Sequence, residues 1–233
     1  MRLSRPIYQL KRRAKLLARE AAIPLHQAQD RIAKSEGFAT WSLLSARHAD
    51  AARPPSILND LAEGAMVLLA ARPGQGKTLI GLQLLVDAVR ARRRAVFFTL
   101  ELTEGQTHDL LTRIGAGEDI PQIVTANDID AASIQRHLAD APPGTVAVID
   151  YLQVLDQRRD TPPLGDQLAD LRDFAAMSGI SFAFISQIDR AYDPDAALLP
   201  GISDLRLSNP VPVALFDTAC FTHGGRTQIQ PIH

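Results

Sequence analysis

Apolar and polar residues alternate in blocks along most of the chain, and these blocks predict strands that take turns with helices. Two apolar runs, VAVI (146–149) and FAFI (182–185), lack polar alternation, as is typical of strands buried on both faces. Runs of this kind predict strands at 66–70, 95–100, 122–125, 145–149, 181–185, 217–222 and near 227–232. Helical spacing predicts helices at 77–90, 104–115, 130–140 and 164–178. The predicted fold class is therefore α/β, with a mostly parallel twisted sheet flanked by helices.

The first 53 residues follow a different pattern, which predicts a small all-α module. An apolar face recurs at helical spacing at Leu10, Ala14, Leu17 and Ala21. Cations occupy the other faces of this helix, namely Lys11, Arg12, Arg13, Lys15 and Arg19. Residues 1–53 contain 11 Lys/Arg against 4 Asp/Glu, a net charge of +7, whereas the remainder contains 14 against 22, or −8. A basic appendage on an acidic body favours a polyanionic partner for the appendage.

Two further short helices complete the predicted module. Pro24 can begin the second helix and Gly37 can end it. Thr40 is suited to cap a third helix that carries Trp41 and Leu44. The stretch AARPP (51–55) then predicts a linker, because paired prolines stop helices and keep the chain extended. The predicted domains are 1–53 and 54–233.

Composition excludes several classes of protein. A single cysteine, Cys220, excludes a disulfide framework and favours a reducing compartment such as the cytoplasm. The six histidines show no metal-ligand spacing, and no apolar stretch approaches the roughly 20 residues that a membrane span needs. The acid-free first 19 residues also resemble an organelle transit peptide, an alternative to the helical module.

The segment ARPGQGKT (71–78) has the composition of a phosphate-binding loop. It follows an apolar strand and precedes an apolar-rich helix, which is the context that triphosphate binding requires. Glycines let backbone N–H groups surround a phosphate, and the helix N-terminus adds partial positive charge. Lys77 can reach the β- and γ-phosphates, and the Thr78 hydroxyl can hold Mg²⁺. The predicted nucleotide-binding residues are Ala71, Arg72, Pro73, Gly74, Gln75, Gly76, Lys77, Thr78 and Leu79.

Polar residues follow three other predicted strands. Glu101 comes directly after VFFTL, Asp150 after VAVI, and Ser186 with Gln187 after FAFI. Ligands of such sheets bind at the carboxyl ends of the strands, so these side chains are expected to surround one crevice. Asp150 can anchor Mg²⁺, Glu101 can orient or deprotonate the attacking water, and Gln187 can sense the γ-phosphate. Each acid taken alone could equally be a solvated strand terminus.

Five motifs together make the resemblance specific. ARPGQGKT, TLEL (99–102), VIDYLQVL (148–155), ISQIDR (185–190) and SDLR (203–206) resemble, in order, those of the DnaB-type replicative helicases, which are RecA-like ATPases. The resemblance spans about 57–222, and Ala71, which departs from the general pattern G-x-x-x-x-G-K-S/T, is the residue that this family carries. It implies ATP and Mg²⁺ as cofactors, Glu101 as the catalytic carboxylate and Asp150 as the second metal-side acid.

The resemblance also implies a ring or filament of subunits and contact with single-stranded DNA. Arg190 and the segment 203–206, which includes Arg206, match loop positions that look toward DNA or a neighbouring subunit. Other candidate contacts to the DNA backbone are the cluster Lys11, Arg12 and Arg13 and the loop pair Arg158 and Arg159. For each cation run, a solvated surface is the competing interpretation.

Departures from the family bear on catalysis. The family's large N-terminal domain is replaced by the basic module, which has a weaker resemblance to helical modules of plasmid-associated bacterial proteins. The family's late Lys-x-Arg, which reaches a neighbour's nucleotide, falls near Phe221, Thr222 and His223, and only His223 or the nearby Arg226 could replace it. A missing trans-acting arginine predicts slow hydrolysis.

Three functions therefore remain open at this point. The chain is a DNA-associated ATP-hydrolysing helicase or helicase-related motor, a nucleotide-switched assembly module without unwinding activity, or a plasmid- or phage-derived remnant that no longer binds DNA.

Overall fold

A computed structural model gives the architecture of the chain. It describes residues 4, 7–45, 56–126, 129–150, 152, 155, 162–189, 192, 199–205, 212–223 and 226–232. The chain divides into two compact units, residues 1–53 and 54–233. The predicted linker 51–55 and the cations Arg158, Arg159, Arg190 and Arg206 lie outside the described residues.

The described residues of the first unit form three helices: α1 (Ile7–Glu20), α2 (Leu25–Ser35) and α3 (41–45). Its small core is formed by Leu10, Ala14, Ile32, Ala33 and Leu44, with Leu17, Phe38 and Trp41 packed against it. Thr40 caps α3 as predicted, because its Oγ1 accepts the Leu43 N–H at 3.2 Å.

One residue of the predicted α1 face is not buried. Ala21 is exposed, because α1 ends at Glu20 and the chain turns at Ala22, whose φ is 49°. The predicted face therefore extends one residue beyond the helix, since nothing in the apolar spacing marks this helix end.

The second unit is built on seven strands and four helices among its described residues. The strands are β1 (Met66–Ala71), β2 (Ala95–Thr99), β3 (Gln122–Val124), β4 (Val146–Asp150), β5 (Ser181–Gln187), β6 (Thr218–His223) and β7 (Arg226–Pro231). The helices are α4 (Lys77–Arg90), α5 (Glu104–Arg113), α6 (Ala131–His137) and α7 (Leu164–Ser178). Every strand and helix predicted for this unit is present.

The strands form one sheet in the order β3-β2-β4-β5-β1-β6-β7. All neighbours are parallel except β6 and β7, which form an antiparallel hairpin. The parallel strands therefore end at the same edge of the sheet, where the loop after β1 also begins. The predicted α/β fold with a mostly parallel sheet is confirmed.

Each face of the sheet packs into its own buried cluster. One cluster contains α4 and the strand residues Val67, Phe97, Val148 and Ile185. The other contains α6, α7 and the intervening strand residues. Because side chains alternate along a strand, positions two residues beyond Phe97, Val148 and Ile185 face α4 as well.

Boundaries differ from the prediction where polar residues extend an element. Asp150 and Gln187 are the last residues of β4 and β5, not the first residues after them. Asp150 pairs with Thr99 and Gln187 with Ala71, so backbone pairing continues past the apolar run that defined each predicted strand. Helix α6 covers 131–137, not 130–140: Asp130 is its N-cap, and the chain turns at 138–140 after the C-cap Leu138.

Candidate nucleotide-binding site

The loop between β1 and α4 has the backbone of a phosphate cradle. Gly74 and Gly76 have φ values of 76° and 86°, a conformation that residues with a Cβ rarely adopt. Gly76 is the N-cap of α4, and it has no side chain that could accept the first N–H groups of the helix. An anion in this position would meet both these donors and the positive end of the helix.

Lys77 lies between the two acids that the sequence singled out. Its Nζ is 3.7 Å from Glu101 Oε2 and 3.7 Å from Asp150 Oδ1. The Lys77 side chain is 11% exposed, that of Asp150 is 0% exposed and that of Glu101 is 40% exposed. Three residues from three separate segments are thus brought to one place at the carboxyl edge of the sheet.

Thr78 joins the same group. Its hydroxyl donates a hydrogen bond of 2.9 Å to Asp150 Oδ2. A hydroxyl and a carboxylate held side by side are oxygen ligands of the kind that Mg²⁺ takes from a protein when phosphates and water supply the rest. The donor set therefore fits a magnesium–nucleotide complex. Among the described residues, no group of three or more His, Cys, Asp or Glu side chains could hold a metal without such a ligand.

Burial raises the pKa of Asp150 above its usual range, because removing the carboxylate from water disfavours its charge. The nearby Lys77 ammonium and the Thr78 hydrogen bond act in the opposite direction, and the Glu101 charge adds to the rise. A bound Mg²⁺ would add positive charge beside this buried acid and favour its ionised form.

Glu101 is held by the turn between β2 and α5. Thr99 Oγ1 accepts the N–H groups of Glu101 at 3.2 Å and Leu102 at 3.3 Å. On the other side, Thr103 and Gln106 form a capping box that begins α5. The Glu101 side chain remains partly exposed and faces Lys77.

Gln187 ends β5 beside Ala71, the residue that opens the phosphate loop. It lies two positions after Ile185, so the alternation of the strand directs it to the α4 face. The structure thus brings Gln187 to the edge that carries Lys77, Glu101 and Asp150. Its role as a γ-phosphate sensor stays a prediction.

The two candidates for a trans-acting group differ in their surroundings. The His223 ring stacks edge-on against Tyr192, with ring centroids 5.6 Å apart, and is partly buried. Arg226 is exposed and pairs with His223 across the β6–β7 hairpin. Phe221 and Thr222, the neighbouring positions of β6, are buried. Of these residues, Arg226 is the one whose charge faces solvent.

Comparison with known proteins bears on the fold. Neither a family model nor a curated protein matches the chain. A solved ATPase domain matches with 18% identity and a TM-score of 0.55, covering 77% of this chain and 81% of that one. A DnaB-like replicative helicase, solved in a study of its interactions with primase, matches with 18% identity and a TM-score of 0.56, covering 92% and 66% respectively. A KaiC-like protein from the archaeon Pyrococcus horikoshii has 16% identity and a TM-score of 0.47, covering 72% and 77%.

This chain shares the fold of the solved ATPase domain and of the DnaB-like helicase. The resemblance to the ATPase domain of DnaB-type helicases that the five motifs predicted is confirmed for the fold. At this level of identity the likeness concerns the fold alone, so the chemistry of the site must be argued from its own residues.

Sequence reasoning missed Thr99 as part of the site. The TLEL segment was singled out for Glu101, two positions after the Thr99 hydroxyl. A threonine at the end of a buried strand, two residues before a candidate catalytic acid, was the available signal, because Ser and Thr side chains commonly accept N–H groups one or two residues ahead.

Proposed function

We propose that the chain binds and hydrolyses ATP with Mg²⁺ and couples this reaction to single-stranded DNA, as a DnaB-like helicase or helicase-related motor. The observation that carries the proposal is the meeting of Lys77, Thr78, Glu101 and Asp150 at the N-terminus of α4. ATP is preferred to GTP through the family resemblance.

The residues divide the chemistry among them. The N–H groups of the loop and of the first turn of α4 would hold the phosphates, with Lys77 adding a full positive charge. Thr78 and Asp150 would hold Mg²⁺, which neutralises charge that develops on the phosphates during transfer. Glu101 would orient a water molecule and accept its proton. Gln187 would respond to the γ-phosphate from the end of β5.

The contacts of Lys77 suggest how the site responds to nucleotide. In the structure its ammonium is balanced by Glu101 and Asp150. A phosphate bound to Lys77 would weaken its contact with Glu101, so that Glu101 could bind water, and Mg²⁺ would be held beside Asp150. Nucleotide binding would then also free Glu101 to orient the attacking water.

The surface of α1 supports contact with a polyanion. Its cations are all exposed: Lys11, Arg12, Arg13, Lys15 and Arg19. Asp30 accepts the Trp41 N–H at 2.8 Å and Glu36 accepts the Ser4 N–H at 2.8 Å. Hydrogen bonds from Ser4 and the nearby charge of Arg13 lower the pKa of Glu36, so this acid offsets part of the charge of one α1 cation. We propose that this helix contacts the phosphates of DNA without reading the sequence of bases.

Assembly and rate follow from the β6–β7 hairpin. We propose that subunits assemble head-to-tail into a ring or filament and that Arg226 reaches a neighbour's nucleotide. His223 is the weaker candidate, because its ring stacks on Tyr192 within its own chain. Since the family's two cations are unmatched at Phe221–His223, turnover is expected to be slow.

Of the described helices, none has the length and apolar character to cross a membrane. We propose a cytoplasmic location.

Steady-state ATP hydrolysis, with and without single-stranded DNA, tests the proposal. The chain is expected to hydrolyse ATP below the roughly 1–100 s⁻¹ of ordinary phosphoryl-transfer enzymes, and DNA is expected to stimulate it. Glu101→Gln should lower turnover to a small but measurable residual rate while nucleotide binding persists. Arg226→Ala should lower turnover further only in the assembled state. No turnover beyond that of Glu101→Gln, under any condition, would contradict the ATPase.

DNA binding is tested separately by salt dependence. The triple variant Lys11→Ala, Arg12→Ala, Arg13→Ala should lower the slope of log affinity against log salt by about 2, since each single-strand phosphate contact contributes about 0.7. A matched control removes three exposed cations of the second unit, namely Arg92, Arg113 and Arg136. An equal effect of both triple variants would reassign the α1 cations to general surface charge.

Size-exclusion chromatography with and without ATP, followed by strand displacement on a forked duplex, distinguishes a helicase-related motor from a nucleotide-switched assembly module. Assembly with unwinding supports the motor, whereas ATP-dependent assembly without unwinding supports the nucleotide-switched module.

A further inference from the structure

The connection that carries Glu101 is short and anchored at both ends. Strand β2 ends at Thr99 and α5 begins at Glu104 after its N-cap Thr103, so Glu101 is the middle of three connecting residues. Leu100 packs partly against one core cluster and Leu102 against the other. The apolar neighbours of Glu101 are therefore fixed on opposite faces of the sheet, and the backbone between them has little freedom.

Thr99 holds the backbone of this connection through its side chain. Its side chain is 0% exposed, and its Oγ1 accepts the N–H groups of both Glu101 and Leu102 at 3.2 and 3.3 Å. These bonds turn the chain immediately after the strand. Thr99 also pairs with Asp150 across β2 and β4, so the same residue is level with the buried acid of the site.

We propose that Thr99 is a positioning residue, whose hydroxyl oxygen sets the backbone of Glu101 so that its carboxylate faces the site of ATP hydrolysis. This inference rests on the proposed ATPase function. Thr99 itself does not touch the reacting atoms; it acts through Glu101.

The proposal depends on an oxygen atom and not on side-chain bulk. Valine has the shape of threonine and packs in the same space, but it accepts no hydrogen bond, so two N–H groups near a buried residue would lose their partner. Serine keeps the oxygen and loses a methyl group. A carboxylate displaced by about 1 Å can lose roughly 10²-fold in rate, because proton transfer and water orientation demand close geometry.

The test compares Thr99→Val with Thr99→Ser and with Thr107→Val. Thr107 is a matched control: it is equally buried and its hydroxyl donates to Thr103 O at 3.0 Å, but it makes no bond to the Glu101 turn. Thr99→Val should lower kcat about 10–100-fold, with the affinity for a non-hydrolysable ATP analogue unchanged within about twofold. Thr99→Ser and Thr107→Val should stay within about threefold of the parent chain.

A double variant separates positioning from general damage. If Thr99 acts through Glu101, Thr99→Val should cause no further loss of turnover in a Glu101→Gln background. The proposal is overturned if Thr99→Val keeps full turnover, if Thr107→Val loses as much, or if the losses at Thr99 and Glu101 multiply.

Amide hydrogen exchange gives a readout that does not need catalysis. Thr99→Val should speed exchange at the Glu101 and Leu102 amides, whereas Thr107→Val should not. Absence of ATPase activity in the parent chain would contradict the proposed function. Unchanged exchange at these two amides would overturn the role of Thr99, whether or not the chain hydrolyses ATP.

Discussion

Replacement of Gly81 by alanine tests how closely α4 must approach the sheet. A Cβ at position 81 would lie 2.9 Å from Val148 Cγ1 and 3.1 Å from Ile185 Cδ1. Ordinary carbon contacts lie near 3.5–4.0 Å, so the helix or the strands must move by about half an ångström. Val148 cannot easily turn away, because β-branched side chains are stiff at χ1.

Two opposing effects set the size of the change. Alanine in a helix interior normally stabilises by about 0.5–1 kcal/mol relative to glycine. Overpacking a core usually costs about 1–3 kcal/mol. Gly81→Ala is therefore expected to lower the free energy of unfolding by up to about 2.5 kcal/mol, and by about 1 kcal/mol at the middle of the two ranges.

Gly105 provides the matched control. It lies in α5, is exposed, and a Cβ there would meet no atom within 4 Å. Gly105→Ala should raise the free energy of unfolding by about 0.5–1 kcal/mol, so the two variants should change in opposite directions. Urea unfolding, with unchanged m values, measures both. If Gly81→Ala were as stable as Gly105→Ala, the close approach of α4 to β4 and β5 would be refuted.

Three further predictions concern other parts of the fold. Asp150→Asn should raise the thermal midpoint of the nucleotide-free chain at neutral pH and abolish the stabilisation by Mg²⁺ and ATP. Burial raises the folded pKa of Asp150, so ionisation costs stability as pH rises through that pKa and the cost persists above it; an unchanged midpoint would contradict this. Asp217→Ala should cost about 1.5–3 kcal/mol by urea unfolding, because its carboxylate accepts the Met66 N–H at 2.8 Å. Arg172→Met, which removes only the ion pair with Asp217, should cost about 1 kcal/mol or less, and equal costs would contradict the backbone contact. Cys220, whose pKa burial raises to about 12, should react with a thiol reagent at pH 8 only when the chain unfolds, and rapid reaction of the folded chain would argue against its burial.

Much of the fold could be predicted because its signals are local. Continuous apolar runs identified the strands, and the parallel sheet followed from their burial on both faces. Strand order is a different matter, since β1 lies between β5 and β6 and nothing in the periodicity of one strand reveals its neighbours. The ends of elements were also hard to place. Nothing in the apolar spacing marks the local turn at Ala22 that ends α1, and the extension of β4 to Asp150 depends on pairing with Thr99, which is distant in the sequence.

The candidate site was predictable as a set of residues, but its contacts were not. Ligands of parallel sheets bind where the strands end, and this rule predicted that Lys77, Glu101 and Asp150 lie at one edge of the sheet. The balance of Lys77 between two acids and the bond from Thr78 to Asp150 depend on side-chain conformations that the sequence does not specify. For the same reason His223 and Arg226 could not be told apart until the stacking of His223 on Tyr192 was seen.

Titration calorimetry with Mg²⁺ and a non-hydrolysable ATP analogue tests the central claim most directly. The account predicts that one analogue binds per chain. Lys77→Met should lose at least about tenfold in affinity, because a charge-assisted contact is worth about 1.5–3 kcal/mol. The exposed Lys11→Met should bind the analogue as tightly as the parent chain. Absence of binding by the folded chain, or equal affinity of Lys77→Met and Lys11→Met, would contradict it.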